Sequence, residues 1–456
     1  MRRGSRGIAA SVAGIGLTLT LAACGGSHPA ATPRPSPSAP AIEHDVTLGV
    51  VGTKAQTSTF RNLADAFDYF TADATVHVKV WPTEEAMLDD VRNGDVPDVF
   101  IAGREDVTSL SDDGVIQPVD SYLAARNVDL GDAFSRTALE SFSGEEHLWC
   151  MPFAATPQVV YYNTRLVDVA KMDAAGLPVP DPDSGNWDVK AFAAAAQFAT
   201  QPARGTKGIY VPPTLSGLAP LVYSAGGNLF DGNEPPTSLA FSSDDTRAAL
   251  QDLLPVISDR SLTLTPAQLK QATPLTWFER GKLGMLIADR SIVPALRTHP
   301  SLSWDVAPIP GGSTVGDYTG LCMSKTTTSS RTAADLLAYL VSDQAMGVIA
   351  RAGYVVPVNT MVALSDDFLT PGEGPEHAKV FADAIKSMHV LPVDAETMTK
   401  LDEVVGQAIG QLFTPSATSQ LPEITERIDA LSQPLLAQLA PSPSPSASAS
   451  ASASSD

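Results

Sequence analysis

Covalent or acid–base chemistry would need some of the 51 acidic, seven histidine and three cysteine side chains of this 456-residue sequence to stand at a working spacing. A Gly-x-Ser-x-Gly turn would present a nucleophile, a His-Glu-x-x-His helix would hold zinc, a phosphate loop would cradle a nucleotide, and a Cys-x-x-Cys pair would exchange electrons. None of the four occurs. The histidines, at positions 28, 44, 77, 147, 299, 377 and 389, show no metal-ligand spacing. A carboxylate pair for glycoside hydrolysis needs a separation of roughly 5–9 Å that sequence does not reveal, and no local signal favours one. The expectation is therefore a non-enzyme, with no catalytic residue, no metal and no cofactor.

One cysteine does sit in a reactive context. Arg2, Arg3 and Arg6 precede a 16-residue run of apolar and small side chains at 8–23. That is shorter than the roughly 20 residues a bilayer-spanning helix needs, so residues 1–23 read as a cleaved signal peptide. The run ends in Leu21-Ala22-Ala23-Cys24, which resembles the bacterial lipobox. There the cysteine thiol takes up diacylglycerol and becomes the new N-terminus. Lipidation of Cys24, with acyl chains such as palmitate, would hold the protein to the outer face of the cell membrane, since two chains anchor stably. The twin arginines leave a folded-export route open.

Removing residues 1–23 takes the formal net charge from −21 to −24, with 27 basic against 51 acidic side chains. Such a surface favours solubility and disfavours phosphate backbones, so nucleic acid is excluded as a partner. Residues 24–43 and 441–456 are rich in Pro, Ser and Ala, cannot bury enough apolar surface to order, and read as a disordered tether and tail. The roughly 400 residues between them exceed one hydrophobic core, so at least two lobes are expected. With Cys24 lipidated, Cys150 and Cys322 remain as an even pair in an oxidising compartment, where a disulfide is plausible.

Hydrophobic periodicity predicts strands at 46–51, 76–81, 97–102, 149–154, 159–162 and 283–288, and helices at 60–69, 84–91, 189–199, 246–257 and 332–340. Strand and helix alternate at the start, the pattern of a largely parallel sheet covered by helices. Ligands of such sheets sit beyond the carboxyl ends of the strands, which points to the loops 52–59 and 103–106. No fixed-period repeat occurs.

Four segments then carry a likeness. They are Gly94-Asp95-Val96-Pro97-Asp98-Val99; Leu148-Trp149-Cys150-Met151-Pro152-Phe153 followed by Val160-Tyr161-Tyr162-Asn163; Phe278-Glu279-Arg280-Gly281-Lys282-Leu283-Gly284-Met285; and Gly320-Leu321-Cys322-Met323-Ser324-Lys325. In this order they resemble the extracellular solute-binding protein family that includes the maltose-binding protein, the capture component of ABC importers. The resemblance implies two α/β lobes joined by crossing strands, a type II periplasmic-binding-protein-like fold, with a small solute, of which a sugar is the leading candidate, held between lobes that close about a hinge. It places residues 44–150 and 322–365 in the first lobe and 153–318 and 366–440 in the second, with Cys150 and Cys322 both on crossing strands. Its implied partners are the solute, a membrane ABC permease and, through the lipid, the membrane; the protein itself would be a monomer. A sensor lipoprotein of the same fold that signals without import is the alternative, with a carbohydrate-active enzyme behind it.

By the same likeness the ligand-binding residues are Lys54, Arg104, Glu105, Asp106, Thr156, Thr214, Ser216, Asp289, Arg290 and Ser291, with Trp81, Trp277, Tyr223 and Tyr318 as available aromatic faces. Core filling is the competing use of Trp81, Trp277 and Tyr223, and an internal ion pair that of Asp289 with Arg290. Only one of Tyr161 and Tyr162 can face a cleft, because neighbours on a strand point to opposite sides. Ala102 and Ser291 stand where maltose-type members carry tryptophan, and Thr156 and Thr214 stand in place of carboxylates. These departures argue against a long glucan, while the likeness and the mixed polar and aromatic loops imply an uncharged or weakly polar solute.

Overall fold

The structure is a computed structural model that describes residues 45–71, 74–181 and 185–439. The signal segment, Cys24, the tether and the tail lie outside the described residues. The chain begins as the periodicity predicts, with β1 (Val46–Val51), α1 (Lys54–Thr71), β2 (Val76–Trp81), α2 (Glu84–Arg92) and β3 (Val99–Gly103). α1 buries Phe60, Leu63, Ala64 and Phe67, one stripe at i, i+3, i+4 and i+7. Thr83 caps α2, its hydroxyl accepting from the Ala86 N–H at 3.3 Å. β4 (Ile116–Gln117), β5 (Cys150–Ala155) and β6 (Val159–Asn163) follow, then α3 (Val189–Ala199), β7 (Lys207–Tyr210) and α4 (Leu215–Ser224). The remaining elements used below are β8 (Leu283–Ala288), β9 (Trp304–Ala307), β10 (Tyr318–Ser324), β11 (Val356–Pro357), α5 (Ala395–Leu412) and α6 (Ala417–Leu439).

The strands form two principal sheets. The first runs β11-β5-β10-β3-β1-β2, with β4 paired to β10, and the second runs β9-β6-β8-β7. β1 pairs parallel with β2 and β3, whereas β10 and β5 enter antiparallel. The first sheet is thus mixed rather than largely parallel, because β10, arriving from the other sheet, runs against both of its neighbours, β3 and β5. Two strand-to-strand connections carry the chain across: β5 leaves the first sheet and continues at once into β6 of the second, and β9 of the second leads into β10 of the first; a third passage runs from β11 to α5, and on its way Met388–His389 pairs with Thr314–Val315.

Each sheet face has its own apolar layer. Tyr161 of β6 packs into the cluster that includes β1, β3 and β10, while Val160 faces the cluster of α3, α4, α5 and α6. Tyr162 lies against Trp187 on that second side, ring centroids 6.0 Å apart, so the two tyrosines do split between faces. Gly208 allows α3 to lie on β7: a Cβ there would stand 2.1 Å from the Ala196 carbonyl oxygen.

The motifs that carry the likeness hold this frame together. Asp98 accepts from the Thr47 N–H and hydroxyl, both at 2.8 Å, and from the Thr327 hydroxyl at 2.6 Å, tying β1 to the start of β3 and to the loop after β10. Asn163 is buried and turns the chain after β6 by accepting from the Arg165 N–H at 3.0 Å. Phe278 and Met285 are fully buried, and Gly281 takes the left-handed conformation (φ 64°) that turns the chain into β8. Cys150 and Cys322 face one another in register on β5 and β10 and are joined by a disulfide, with Cα atoms 4.3 Å apart.

Candidate functional site

Where the chain crosses between the sheets, the β5–β6 and β9–β10 connections touch. The Thr156 N–H donates to the Asp317 carbonyl at 2.9 Å, and the Asp317 N–H returns to the Thr156 hydroxyl at 3.1 Å. The approach is close: a Cβ on Gly316 would lie 2.5 Å from the Thr156 carbonyl oxygen. Above this junction opens a cavity of about 380 Å³, bordered by Glu105, Thr156, Gln158, Ser216, Asp289 and Asp317, with Met398, Thr399 and Asp402 of α5 opposite. A second cavity of about 620 Å³ continues from it, between Glu84, Glu85, Arg92 and Asp106 on one side and Asp394, Thr399, Lys400 and Glu403 on the other. Glu105, Ala395 and Thr399 border both, so the two are one continuous cleft.

Its walls come from different layers. Glu84 opens α2 and Glu105 follows β3, at the carboxyl end of the first sheet. The facing wall is α5, which is capped by Asp394 accepting from the Thr397 N–H at 2.6 Å and buries Met398, Leu401, Val405, Ala408, Ile409 and Leu412 in the other apolar cluster. Arg104 reaches over, donating to the Leu391 carbonyl at 3.1 Å while its Nε lies 3.5 Å from an Asp317 carboxylate oxygen.

The electrostatics are lopsided. One carboxylate oxygen each from Glu84, Glu105 and Asp106 lie within 4.8 Å of one another. Burial pushes Glu84 up to about 7, an effect the Gly103 N–H partly offsets and Asp106 increases. Burial and then the Asp317 charge push Glu105 up to about 7 as well. Asp106 is raised by burial and held back by Arg92. Asp402 is likewise raised by burial, while the Leu215 N–H, donating at 2.7 Å, opposes the shift. A third pocket of about 260 Å³ adjoins at Thr156 and Glu84 and is mainly apolar, with Phe60, Ile101, Phe153, Ile349 and Tyr354 in its lining.

Residues 62–374 match the family described as bacterial extracellular solute-binding protein. The chain belongs to that family. The maltotriose-binding protein of Pyrococcus abyssi is 27% identical over 109 residues, a match that spans 24% of this chain and 23% of that protein. An ABC substrate-binding protein from Listeria monocytogenes, solved in complex with cycloalternan, superposes with a TM-score of 0.67 at 19% identity, over 84% of this chain and 97% of that one. The sugar-binding protein MalE of Xanthomonas citri does so with 0.70 at 15% identity, over 87% and 98%. The family member described here therefore has the expected α/β, two-lobed periplasmic-binding-protein-like fold.

The residues nominated from sequence fall into three groups. Glu105, Thr156, Ser216 and Asp289 border the first cavity, Asp106 the second and Ser291 the apolar pocket, with Arg104 bridging behind them. Asp289 also caps its own turn, accepting from the Ser291 N–H at 2.8 Å.

A second group serves the fold. Trp81 is buried and donates to Asp90 at 2.8 Å. Arg290 is 1% exposed, donates to the Phe368 carbonyl at 2.9 Å and lies over the Phe368 ring at 4.0 Å, so it is packed inside rather than offered to a ligand. Burial, opposed by Tyr161, pulls its guanidinium down to about 10. It makes no ion pair with Asp289, which borders the cleft and accepts from the Ser291 N–H. Tyr318 is fully buried. Trp277 donates to the Gln268 carbonyl at 3.1 Å against the core, and Thr214 caps α4 by accepting from the Gly217 N–H at 3.0 Å.

The third group stands apart. Lys54 is exposed at the first turn of α1, since residues 54–59 are helix and not the loop expected there. Tyr223 stacks on His389 with centroids 4.7 Å apart and borders none of the three pockets described.

Sequence reasoning missed Glu84, Gln158, Asp317 and the whole of the α5 wall. Asp394 followed by apolar residues at 398, 401, 405, 408, 409 and 412 was a readable helix start and stripe. Positions 156 and 214 carry no carboxylate, and the cleft draws its carboxylates from elsewhere, among them the nominated Glu105, Asp106 and Asp289 together with Glu84, Asp317 and Asp402.

Proposed function

We propose that the protein is the lipid-anchored, extracytoplasmic binding component of an ABC importer and captures a small sugar-type solute in the cleft between α5 and the Glu84–Glu105 side. The observation that carries this is the continuous polar cleft at the crossing of the two lobes, walled by side chains from both apolar clusters. Family membership supports a capture role. Relatives that bind maltotriose or cycloalternan support the sugar class. The lobes, about residues 44–150 with 322–365 and 153–318 with 366–440, would close about the crossings at Thr156 and Asp317, a hinge motion of a familiar kind. Closure then presents both lobes to a permease. Cys24 would carry the lipid, at the end of a run too short to span the bilayer. The assay is thermal unfolding of the mature protein against mono- and disaccharides, sugar alcohols and amino compounds. A true ligand at 100 times its Kd stabilises by about 2.7 kcal/mol. A shift given only by non-carbohydrates defeats the sugar reading.

A further inference from the structure

We propose that the solute is an amine-bearing sugar, its ammonium seated between Glu84 and Glu105 and the apolar face of its ring lodged against Phe60, Phe153 and Tyr354. This rests on the sugar-binding reading and narrows it to a class; it also replaces the uncharged solute expected from sequence.

The cleft's own charges point this way. Ten carboxylates border the two connected cavities against two basic side chains, Arg92 and Lys400. Lys400 lies 2.6 Å from Glu396, and the charge of Arg92, 3.4 Å from Asp89, bears on Asp106 and not on Glu84 or Glu105. Arg104, the residue before Glu105, is engaged by Asp317 and the Leu391 carbonyl. Glu105 Oε2 is buried and receives no hydrogen bond. A buried acceptor left unpaired is costly, and an ammonium with three donors satisfies several such oxygens at once.

The second observation is independent of charge. The apolar pocket opens beside Glu84 and Thr156, so a ligand reaching the carboxylates has an adjoining place for an apolar face. Thr59, Ser291 and Thr319 stand round its edge as partners for hydroxyls. A bare metal ion would use the carboxylates and leave this pocket without purpose. The raised Glu84 and Glu105 agree with the geometry, because a bound cation returns both to their ionised form. Binding near pH 7 then releases protons, with Asp106, Asp317, Asp394, Arg92, Arg104 and Lys400 the other charged groups facing the pair.

The experiment is titration calorimetry of the mature chain at pH 7 with glucosamine, glucose and N-acetylglucosamine, the corresponding disaccharides, spermidine and calcium chloride. The expected result is that an amine-bearing sugar binds about tenfold or more tighter than its neutral counterparts, the worth of one hydrogen bond to a charged group. Glu105→Gln and Glu84→Gln each remove that preference, bringing the affinity for the amine-bearing sugar down to that for its neutral counterparts. Neutral or N-acetylated sugars binding as well as the amine would overturn the inference and leave the sugar reading intact. Spermidine binding with no sugar binding would defeat both. Calcium binding that the two Gln variants abolish, with no response to amines, would reassign the carboxylates to a metal. No binding of any amine-bearing sugar at millimolar concentration also overturns it.

Discussion

Breaking the Cys150–Cys322 bond should lower stability through the unfolded chain more than through the folded one. The bond closes a loop of 172 residues. The chain-entropy relation gives about 17 cal/mol/K for a loop of that length, or about 5 kcal/mol at 25 °C. In the folded state β5 and β10 are already zipped together from Tyr318 to Cys322, so the link adds little order there. With an unfolding entropy near 2.1 cal/mol/K per residue over roughly 400 residues, 5 kcal/mol corresponds to a fall of about 6 °C in Tm, and the usual shortfall of real disulfides makes about 3 °C the lower expectation. Calorimetric scans of oxidised protein, reduced protein and Cys150→Ala/Cys322→Ala, with alkylation and mass spectrometry to count thiols, measure it. Reduced protein melting within about 1 °C of the oxidised form would refute the entropic reasoning. Two free thiols in the unreduced, unfolded chain would refute the bond itself.

Two further outcomes follow from the cleft. Glu84 and Glu105 titrate near 7 in the folded protein against 4.5 for the free side chain, so the folded state holds their protons more tightly than the unfolded one. Their contribution is fully present below about 4.5 and is lost as pH rises through 7, at most a few kcal/mol in all; denaturant unfolding of wild type against Glu84→Gln/Glu105→Gln from pH 4 to 8 should show a flatter profile for the double variant, and parallel profiles would dismiss the effect. Asp289→Ala should cost about 1 kcal/mol through loss of its cap on the Ser291 N–H while weakening ligand binding by more than that equivalent, measured by chemical unfolding and calorimetric titration; equal losses in both would assign the side chain to the fold alone.

What could be read from sequence was the frame. The helix at 189–199 and the strand at 283–288 coincide with the observed elements, because a long Ala-rich stripe and a compact apolar run each carry a strong local signal. The mixed first sheet was not legible, since strand direction depends on where a distant segment arrives. Among the residues nominated from sequence, Glu105, Thr156 and Asp289 border the cleft, whereas Thr214 and Trp81 serve a helix cap and the core. A threonine before a helix and a tryptophan ending a strand look the same in sequence whether they serve packing or a ligand. Glu84 was passed over for a related reason: acidic residues in the first turn of a helix are common on electrostatic grounds alone, and only the folded chain brings this one beside Glu105.

The binding face is built from opposite ends of the primary structure. Glu105 and the start of α5 are 290 positions apart, and the helix lies in the last seventh of the sequence. A growing polypeptide is therefore blind to its solute until nearly all of it has been made, and the solute cannot serve as a template for the early stages of folding. Under the proposed function, a fragment that stops before α5 would lack one wall of the cleft. Recognition at the proposed cleft thus waits on the Ala395–Leu412 segment, a dependence set by chain order alone.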